Sequence, residues 1–229
     1  MRNSTHFVQK YTPKSEEIVT KEMARKGNKT GEWARRHMND AYVKRAISQG
    51  YRSRAVYKIQ EIDEQDKLVK PGMVVVDLGS APGGWSQYIA RKFADKCTII
   101  AIDLLDMEPI EHVQFLKGDF QDEAVLKQLD EILDCRAIDL VISDMAPNIT
   151  GVRSVDEAQY EGLLDSVLYF CELRLKPNSH LLVKLFEGSA AHYFRREVKT
   201  RYKSGIVRKP KASRSKSREY YYLAKNRLS

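Results

Sequence analysis

The chain has 229 residues, of which 42% are hydrophobic and 31% charged, a balance typical of a globular protein with one sizeable core. Its formal net charge of +8 suggests an anionic partner but does not identify one. No apolar run is long enough to cross a bilayer, and the first residues contain no apolar signal-peptide core. We therefore expect a cytoplasmic protein with no membrane partner.

Three cysteines, Cys97, Cys135 and Cys171, are widely spaced along the chain. This spacing excludes a local Cys-x-x-Cys metal-binding motif and favours a reducing compartment. We expect three buried, unreactive thiols and no metal site.

The composition changes near residue 50. Residues 1–50 are polar and rich in Lys and Arg, with little apolar periodicity, and residues 1–22 read as a peripheral extension. From Arg52 onward, apolar residues recur with helical or strand spacing. The pattern predicts a basic, partly flexible leader over residues 1–50 and one folded domain over residues 51–229.

Helices and strands alternate through this predicted domain, and the apolar spacing sets their approximate bounds. The first predicted element is a helix with its apolar stripe at Ala55, Ile59, Ile62 and Leu68. Seven strands are predicted at residues 73–78, 98–102, 112–116, 138–142, 180–186, 206–209 and 220–223. The other helices are predicted at residues 85–93, at 123–133, at 156–175, where the helix ends before Pro177, and from the end of the fifth strand to about residue 199.

This alternation predicts an α/β fold with a mostly parallel, seven-stranded sheet and helices on both faces. The last two strands have no long helix between them, which indicates an antiparallel hairpin at one end of the sheet. Such a hairpin is typical of the Rossmann-like methyltransferase fold rather than of the dinucleotide-binding fold, an inference by analogy.

A glycine-rich loop follows the first predicted strand and opens a helix, at the edge of a parallel sheet where ligands bind. Its spacing, Gly-x-x-x-Gly-Gly after an acidic residue, differs from the Gly-x-Gly-x-x-Gly loop that receives a pyrophosphate. S-adenosylmethionine carries no phosphate and suits a loop of backbone amides flanked by carboxylates. The candidate cofactor residues in this loop are Asp77, Gly79, Pro82, Gly83 and Gly84.

Two further acids lie at the ends of the next two strands. Asp103 is placed to accept hydrogen bonds from ribose hydroxyls, and Asp119 from an adenine amino group. Either residue by itself is more often a helix cap or a solvated loop residue. Together they form a line of acceptors beside the glycine loop, which favours the cofactor site.

The fourth and fifth strands carry a candidate reactive pair. Asp144 directly follows the fourth strand and is expected to face the same crevice. Lys184 lies inside the apolar run LLVKLF, where a lysine is unfavourable unless it has a partner or a chemical role. The alternative is a lysine whose stem packs on apolar surface while its ammonium reaches water.

Six stretches of the chain together resemble the FtsJ family of RNA ribose 2′-O-methyltransferases, from about Gly27 to the C-terminus. They are SRAVYKIQEID, DLGSAPGGWSQY, GDF, SDMAPNITG, LLVKLFEG and KPKASRSKSREYYYLA. The resemblance implies S-adenosylmethionine as cofactor and methylation of a uridine ribose in large-subunit (23S) ribosomal RNA, on the assembled subunit, with no obligate protein partner. Ser80 replaces the alanine expected in the glycine loop.

The family's catalytic tetrad, carried over by motif, falls on Lys58, Asp144, Lys184 and Glu219, and all four residues are intact. The residues by themselves would place Lys58 and Glu219 on the surface, so both assignments depend on the resemblance. Whether Lys184 takes the proton of the 2′-hydroxyl or only steers its oxygen stays open. The family's cofactor positions fall on Gly83, Trp85, Asp103, Asp119 and Asp144.

Basic residues with interleaved aromatic residues predict an RNA-binding surface before Lys58, with a second basic stretch over residues 208–218. The residues of the first surface are Lys26, Lys29, Trp33, Arg35, Arg36, Tyr42, Lys44, Arg45, Tyr51, Arg52 and Arg54. Three other functions stay open at this point: a transfer-RNA ribose methyltransferase of the same family, an NAD-dependent oxidoreductase and a non-catalytic RNA-binding assembly factor.

Overall fold

A computed structural model describes residues 40–147, 150–214 and 217–229 of the chain. The chain divides into two compact units, residues 1–50 and residues 51–229. On the N-terminal side, residues 41–48 form helix α1 (Ala41–Ser48), whose N-terminus is capped by Asp40 accepting from the Tyr42 N–H at 2.9 Å. The weak periodicity of residues 1–50 did not predict this helix, which buries only Val43 and Ala46.

Seven strands form a single sheet in the C-terminal unit, as predicted. They are β1 (Val74–Leu78), β2 (Thr98–Asp103), β3 (Val113–Lys117), β4 (Ile138–Ser143), β5 (Leu175–Phe186), β6 (Tyr202–Arg208) and β7 (Glu219–Arg227). The spatial order is β3-β2-β1-β4-β5-β7-β6. The first five strands run parallel, and β7 lies antiparallel between β5 and β6. The mostly parallel sheet with a terminal antiparallel hairpin is confirmed.

Among the described residues, five α-helices accompany the sheet: α2 (Val56–Asp66), α3 (Gly84–Phe93), α4 (Glu123–Leu133), α5 (Arg153–Arg174) and α6 (Ser189–Arg201). A single 3-10 turn (Ala94–Lys96) follows α3. In β1, Val74 and Val76 share a hydrophobic cluster with residues of α4, α5 and α6. The buried Val75 between them points to the other face, because side chains alternate along a strand. Helices α2 and α3 contact each other and cover that second face.

The boundary between α5 and β5 differs from the prediction. The helix ends at Arg174 and the strand begins at Leu175, so Pro177 lies inside a strand. The pairing register of β4 and β5 shifts between Ile138 and Leu140, which leaves residues 176–179 outside the regular ladder. Proline lacks an N–H donor and is tolerated at such an irregularity. The regular pairing resumes at His180, where the fifth strand was predicted to begin.

An ion-pair cluster fastens the β6–β7 hairpin to α2. Asp66, at the end of α2, lies 2.7 Å from Arg208 Nε on β6 and 2.8 Å from Lys225 Nζ on β7. Burial raises the pKa of the Asp66 carboxyl, but the hydrogen bonds and charges of these two cations outweigh it and leave the pKa lowered. The hairpin is thereby held against the helix that carries Lys58.

The cysteine prediction was correct for two of the three thiols. Cys97 and Cys171 are buried, whereas Cys135 is exposed. Cys135 lies in the turn after α4, where it and Asp134 both adopt a left-handed backbone conformation that ends the helix. Within the described part of the chain, every helix is too short or too polar to span a bilayer.

Candidate active site

The carboxyl ends of β1, β2 and β4 bring three carboxylates to one edge of the sheet. Leu78 of β1 pairs with Ile102 of β2 and Ser143 of β4, so Asp103 and Asp144 follow at the same level, two residues beyond the level of Asp77. Burial, together with the charges of Asp144 and Asp103, raises the pKa of the Asp77 carboxyl to about 7, although Ser86 donates a 2.7 Å hydrogen bond to it. A cation at this edge is therefore electrostatically favoured.

The glycine loop after β1 has a backbone that other residues adopt only with strain. Gly79 and Gly83 have φ angles of +72° and +96°. A Cβ atom on Gly79 would lie 2.0 Å from Met145 Cγ, and one on Gly83 would lie 2.6 Å from Met107 Sδ. The Ala81–Pro82 peptide bond between them is cis. Gly83 caps α3, and Gly84 is its first residue.

The carboxylate of Asp103 organises the loop from the neighbouring strand. One oxygen accepts from the Ala81 N–H and the other from the Leu105 N–H, both at 2.8 Å. Each oxygen keeps a further lone pair that can accept from a ligand hydroxyl. The Gly118 N–H donates to the Asp103 carbonyl at 2.8 Å, so the segment carrying Asp119 lies against the same strand end. Asp119 itself accepts from the Gln121 N–H at 2.9 Å.

One hydroxyl in the glycine loop has no partner among the described residues. The side chain of Ser80 is buried, and its Oγ makes no hydrogen bond there. A buried hydroxyl without a partner is unfavourable by about 1–3 kcal/mol. Ser80, which replaces the alanine expected from the family resemblance, therefore offers a polar group that a ligand could contact.

Lys184 and Asp144 form an ion pair in the crevice. Lys184 Nζ lies 3.1 Å from Asp144 Oδ1 and also donates to the Asp144 backbone carbonyl. The two side chains are 10% and 23% exposed, so Lys184 does not reach bulk water as the alternative interpretation proposed. Two acceptors on a single residue fix the position of the ammonium at the strand edge.

Lys58 and Glu219 form a second pair. Lys58 Nζ, in the first turn of α2, lies 2.8 Å from Glu219 Oε1 at the start of β7. Their side chains are 10% and 14% exposed, in contrast to the surface positions that the residues by themselves suggested. Burial raises the pKa of the Glu219 carboxyl, but the hydrogen bond and charge of Lys58 outweigh it and lower the pKa.

Tyr221 connects the two pairs. It lies opposite Lys184 in the β5–β7 register and donates from its hydroxyl to Asp144 Oδ1 at 2.7 Å. Its ring centroid lies 5.5 Å from Lys58 Nζ and 5.5 Å from the ring of Trp85. The four predicted catalytic residues thus surround one fully buried tyrosine ring, beside the glycine loop.

A sequence model of FtsJ-like methyltransferases matches residues 51–227. The chain belongs to this methyltransferase family. It is 51% identical over 205 residues to a protein named ribosomal RNA large subunit methyltransferase E from Burkholderia ambifaria, with 84% of this chain and 93% of the relative covered. A relative of the same name from Burkholderia mallei is 50% identical over 206 residues, with 85% and 94% covered.

Solved structures agree with the family assignment. The crystal structure of a ribosomal RNA methyltransferase from Plasmodium falciparum superposes with a TM-score of 0.71 at 31% identity, covering 78% of this chain and 100% of the other. This similarity confirms the Rossmann-like methyltransferase fold predicted from the alternation of helices and strands.

The sequence did not identify Tyr221 as a residue of the FtsJ-like site. A signal was nevertheless present, because residues two apart on a strand share a face, and Tyr221 follows Glu219 by two. Trp85, predicted to bind the cofactor, is buried and donates its indole N–H to the Ala55 carbonyl at 2.9 Å. It therefore also holds α3 against the start of α2.

Two arginines predicted to contact RNA are engaged inside the FtsJ-like domain. Arg52 donates to the carbonyls of Pro82, Glu108 and Pro109, and Arg54 to the carbonyl of Ala212. Both guanidinium groups hold loops around the site, whereas Lys44 and Arg45 on α1 are exposed. Tyr42 and Tyr51 of the same predicted surface are half-buried, and five further residues lie outside the described part of the chain: Lys26, Lys29, Trp33, Arg35 and Arg36.

The buried Asp77 should make the stability of the protein depend on pH. Its folded pKa of about 7 exceeds its ordinary value of 3.8, so the folded state holds a proton that the unfolded state has lost between these values. The stabilising contribution is complete below about pH 4 and is lost as pH rises towards 8. Asp77→Asn should therefore be more stable than wild type at pH 8, by up to about 4 kcal/mol, and similar near pH 4.

Urea unfolding from pH 4 to 8 measures this difference. Asp106→Asn, at a carboxylate that is 84% exposed, is the matched control and should follow the wild-type curve. A constant difference between Asp77→Asn and wild type across the pH range would show that Asp77 does not titrate in this window.

Proposed function

We propose that this FtsJ-like protein methylates the 2′-hydroxyl of a uridine ribose in large-subunit (23S) ribosomal RNA, with S-adenosylmethionine as the methyl donor. The observation that carries the proposal is the arrangement of Lys184–Asp144 and Lys58–Glu219 around Tyr221, beside the glycine loop. The names of the relatives, ribosomal RNA large subunit methyltransferase E, support the choice of RNA.

The residues at the sheet edge fit S-adenosylmethionine. When bound, this molecule supplies an electrophilic methyl group on a positively charged sulfur. Asp103 has lone pairs for the ribose hydroxyls, and Asp119 is assigned to the adenine amino group. The carboxylates of Asp77 and Asp144 favour a cation, and the unpartnered Ser80 hydroxyl provides a further polar contact. The chemistry of this donor set contains nothing that requires a pyrophosphate, which disfavours an NAD-dependent oxidoreductase.

Asp103→Ala should weaken S-adenosylmethionine binding by about 10- to 100-fold, the range expected for the loss of charge-assisted hydrogen bonds. Titration calorimetry measures the affinity, with a 1:1 stoichiometry expected for wild type. Asp106→Ala removes a carboxylate three residues away that pairs with Lys117 instead, and it should bind like wild type. Equal affinity of Asp103→Ala and wild type would exclude Asp103 from the site.

The two lysines have different proposed roles. Lys184, fixed by both acceptors of Asp144, contacts the 2′-oxygen and either takes its proton or stabilises the charge that develops on it. Lys58, fixed by Glu219, adds a second positive charge on the other side of Tyr221 and orients the ribose. We also propose that the protein needs no obligate protein partner and acts in the cytoplasm.

Methyl transfer to defined RNAs tests the proposal. Cells lacking the gene provide large ribosomal subunits, free 23S ribosomal RNA and bulk transfer RNA, each incubated with the protein and labelled S-adenosylmethionine. We expect incorporation at one uridine of 23S ribosomal RNA and a preference for the subunit over free RNA, because a basic protein recognises phosphates best in a fixed shape. Incorporation into transfer RNA instead would favour the other family function. Equal turnover on subunits and free RNA would contradict the subunit preference.

A further inference from the structure

A cleft of about 360 Å³ lies between α6 and the β6–β7 hairpin, on the far side of β7 from the catalytic cluster. Its lining consists of Glu187, Arg195, Val207, Lys209, Arg218 and Tyr220. Side chains alternate along β7, so Tyr220 faces away from Glu219 and Tyr221. Lys209 and Arg218 come from the basic stretch over residues 208–218 that was predicted to bind RNA, and none of the roles assigned to the catalytic and cofactor residues uses this cleft.

The cleft adjoins the catalytic cluster along the chain. Lys184 pairs with Tyr221 in the β5–β7 ladder, and the ladder ends with Phe186 opposite Glu219. Immediately beyond that end, the Glu187 N–H donates to the Arg218 carbonyl at 3.1 Å. The cleft therefore opens at the same end of the sheet as the groups proposed to act on the ribose.

Positive charge dominates the lining, with three cations against one carboxylate. Arg218 donates to the Glu187 carbonyl at 2.8 Å, and Lys209 donates to the Ser217 carbonyl at 2.8 Å. These acceptors are neutral, so they hold the cations in place without cancelling their charge. Arg195 lies with its guanidinium 5.7 Å from the centre of the Tyr222 ring. One oxygen of the Glu187 carboxylate lies 3.0 Å from His192 Nε2, so this carboxylate already has a hydrogen-bond partner on α6.

A buried hydroxyl without a partner also lines the cleft. Tyr220 is only 6% exposed, and its hydroxyl has no partner at ordinary hydrogen-bond geometry among the described residues, although Arg195 lies close enough to lower the Tyr220 pKa against the effect of burial. Buried polar groups in native proteins are nearly always hydrogen-bonded, so an exception beside three cations points to a ligand that accepts a hydrogen bond.

We propose that this cleft binds a phosphodiester of the substrate RNA, next to the nucleotide that is methylated. The inference rests on the proposed function, because it takes RNA as the substrate. A ribose placed at Lys184 carries a phosphate on either side, and the end of the β5–β7 ladder, where the cleft opens, lies two residues beyond Lys184. Guanidinium groups match two phosphate oxygens at once, and the Tyr220 hydroxyl can donate to a third.

Arg195→Gln tests the proposal, with Arg196→Gln as the matched control. Both variants remove one guanidinium from α6 at successive positions, but Arg196 does not line the cleft and is 73% exposed. For Arg195→Gln we expect the KM for large ribosomal subunits to rise about tenfold, with kcat nearly unchanged. The slope of log Kd against log salt for subunit binding should also become shallower by about one, as for the loss of one phosphate contact. Arg196→Gln should change neither quantity by more than about twofold.

The unpartnered hydroxyl gives an independent readout. Tyr220→Phe removes a buried polar atom without a partner, so the melting temperature should rise by roughly 2–4 °C while the KM for subunits increases several-fold. A structural hydroxyl would instead lower the melting temperature on removal and leave KM unchanged, which would overturn the proposal. Equal KM values and equal salt slopes for Arg195→Gln and Arg196→Gln would overturn it as well.

Filter binding of the subunits separates this proposal from the proposed function, because it requires no methyl transfer. A wild-type protein that fails to methylate any RNA would contradict the proposed function. The binding comparison between the two arginine variants would still decide whether the cleft takes a phosphodiester. Inorganic phosphate that binds wild type but not Arg195→Gln, at concentrations that leave subunit binding unchanged, would identify a site for free phosphate and count against an RNA site.

Discussion

Replacing Lys184 with alanine should lower the single-turnover rate of methyl transfer by at least about 100-fold, the lower bound for loss of a group that moves a proton or stabilises the reacting charge. S-adenosylmethionine affinity should stay within about threefold of wild type. The reason is that the glycine loop, Asp103 and Asp119 are proposed to hold the cofactor, whereas Lys184 is proposed to contact the incoming ribose. Rapid-quench methyl transfer and titration calorimetry measure the two quantities.

The charge-conserving variant Lys184→Arg separates the two proposed roles of this residue. A guanidinium stays protonated at any working pH and cannot accept a proton, so this variant should be nearly as slow as Lys184→Ala. Lys176→Ala is the matched control, because Lys176 is an exposed lysine of the same strand that pairs with Asp139. It should react like wild type. An arginine variant that keeps most of the wild-type rate would exclude Lys184 as the base and leave it an electrostatic role.

The local spacing of apolar residues and glycines was sufficient to predict the elements that position the cofactor loop. The run at residues 73–78 is apolar except for Asp77 because β1 is buried on both faces, and the glycines after it mark a turn that other residues adopt with strain. The same reasoning placed Asp103 and Asp144 at strand ends, since parallel strands end at a common edge. These features depend on a few consecutive residues, which is why the sequence predicts them.

The missed features depend on pairings between distant segments. Hydrophobic spacing gives no reason for Lys58 and Glu219 to meet, because the contact exists only once β7 is inserted beside β5 and the hairpin is fastened to α2 through Asp66. The resemblance to a family supplied that pair. The predicted start of β5 was wrong because Pro177 was taken to lie before the strand. Whether a proline is tolerated in a strand depends on the partner strand, and here the register shift between β4 and β5 accommodates it.

Tyr221 shows a different limit. It lies in a run of three tyrosines, and the sequence does not distinguish the one whose hydroxyl meets a carboxylate from those that pack in the core. Burial and the neighbouring Asp144 charge raise the pKa of Tyr221 well above its usual value, so its hydroxyl remains a hydrogen-bond donor at any working pH. The same oxygen of Asp144 thus accepts from Tyr221 and pairs with Lys184.

Asp144→Asn should reduce methyl transfer by about 100- to 1,000-fold, the range expected when a fixed charge in a largely desolvated site is removed. The amide is nearly the same size as the carboxylate and still offers an oxygen to Tyr221. It nevertheless leaves the Lys184 ammonium without its anionic partner in a position that is only 10% exposed. The lysine should then lose its fixed position, so the rate should fall more than the affinity for RNA.

Tyr221→Phe is the control for this argument, because it removes a hydrogen bond to the same Asp144 oxygen without removing a charge. Its rate should fall by less than about tenfold, in keeping with the smaller contribution of a hydrogen bond that carries no formal charge on the donor. Single-turnover rates of the two single variants and of the double variant complete a cycle that measures their coupling. If Asp144→Asn is no slower than Tyr221→Phe, the negative charge of Asp144 is not what holds Lys184 in its reactive position, and the backbone carbonyl of Asp144 would then be sufficient.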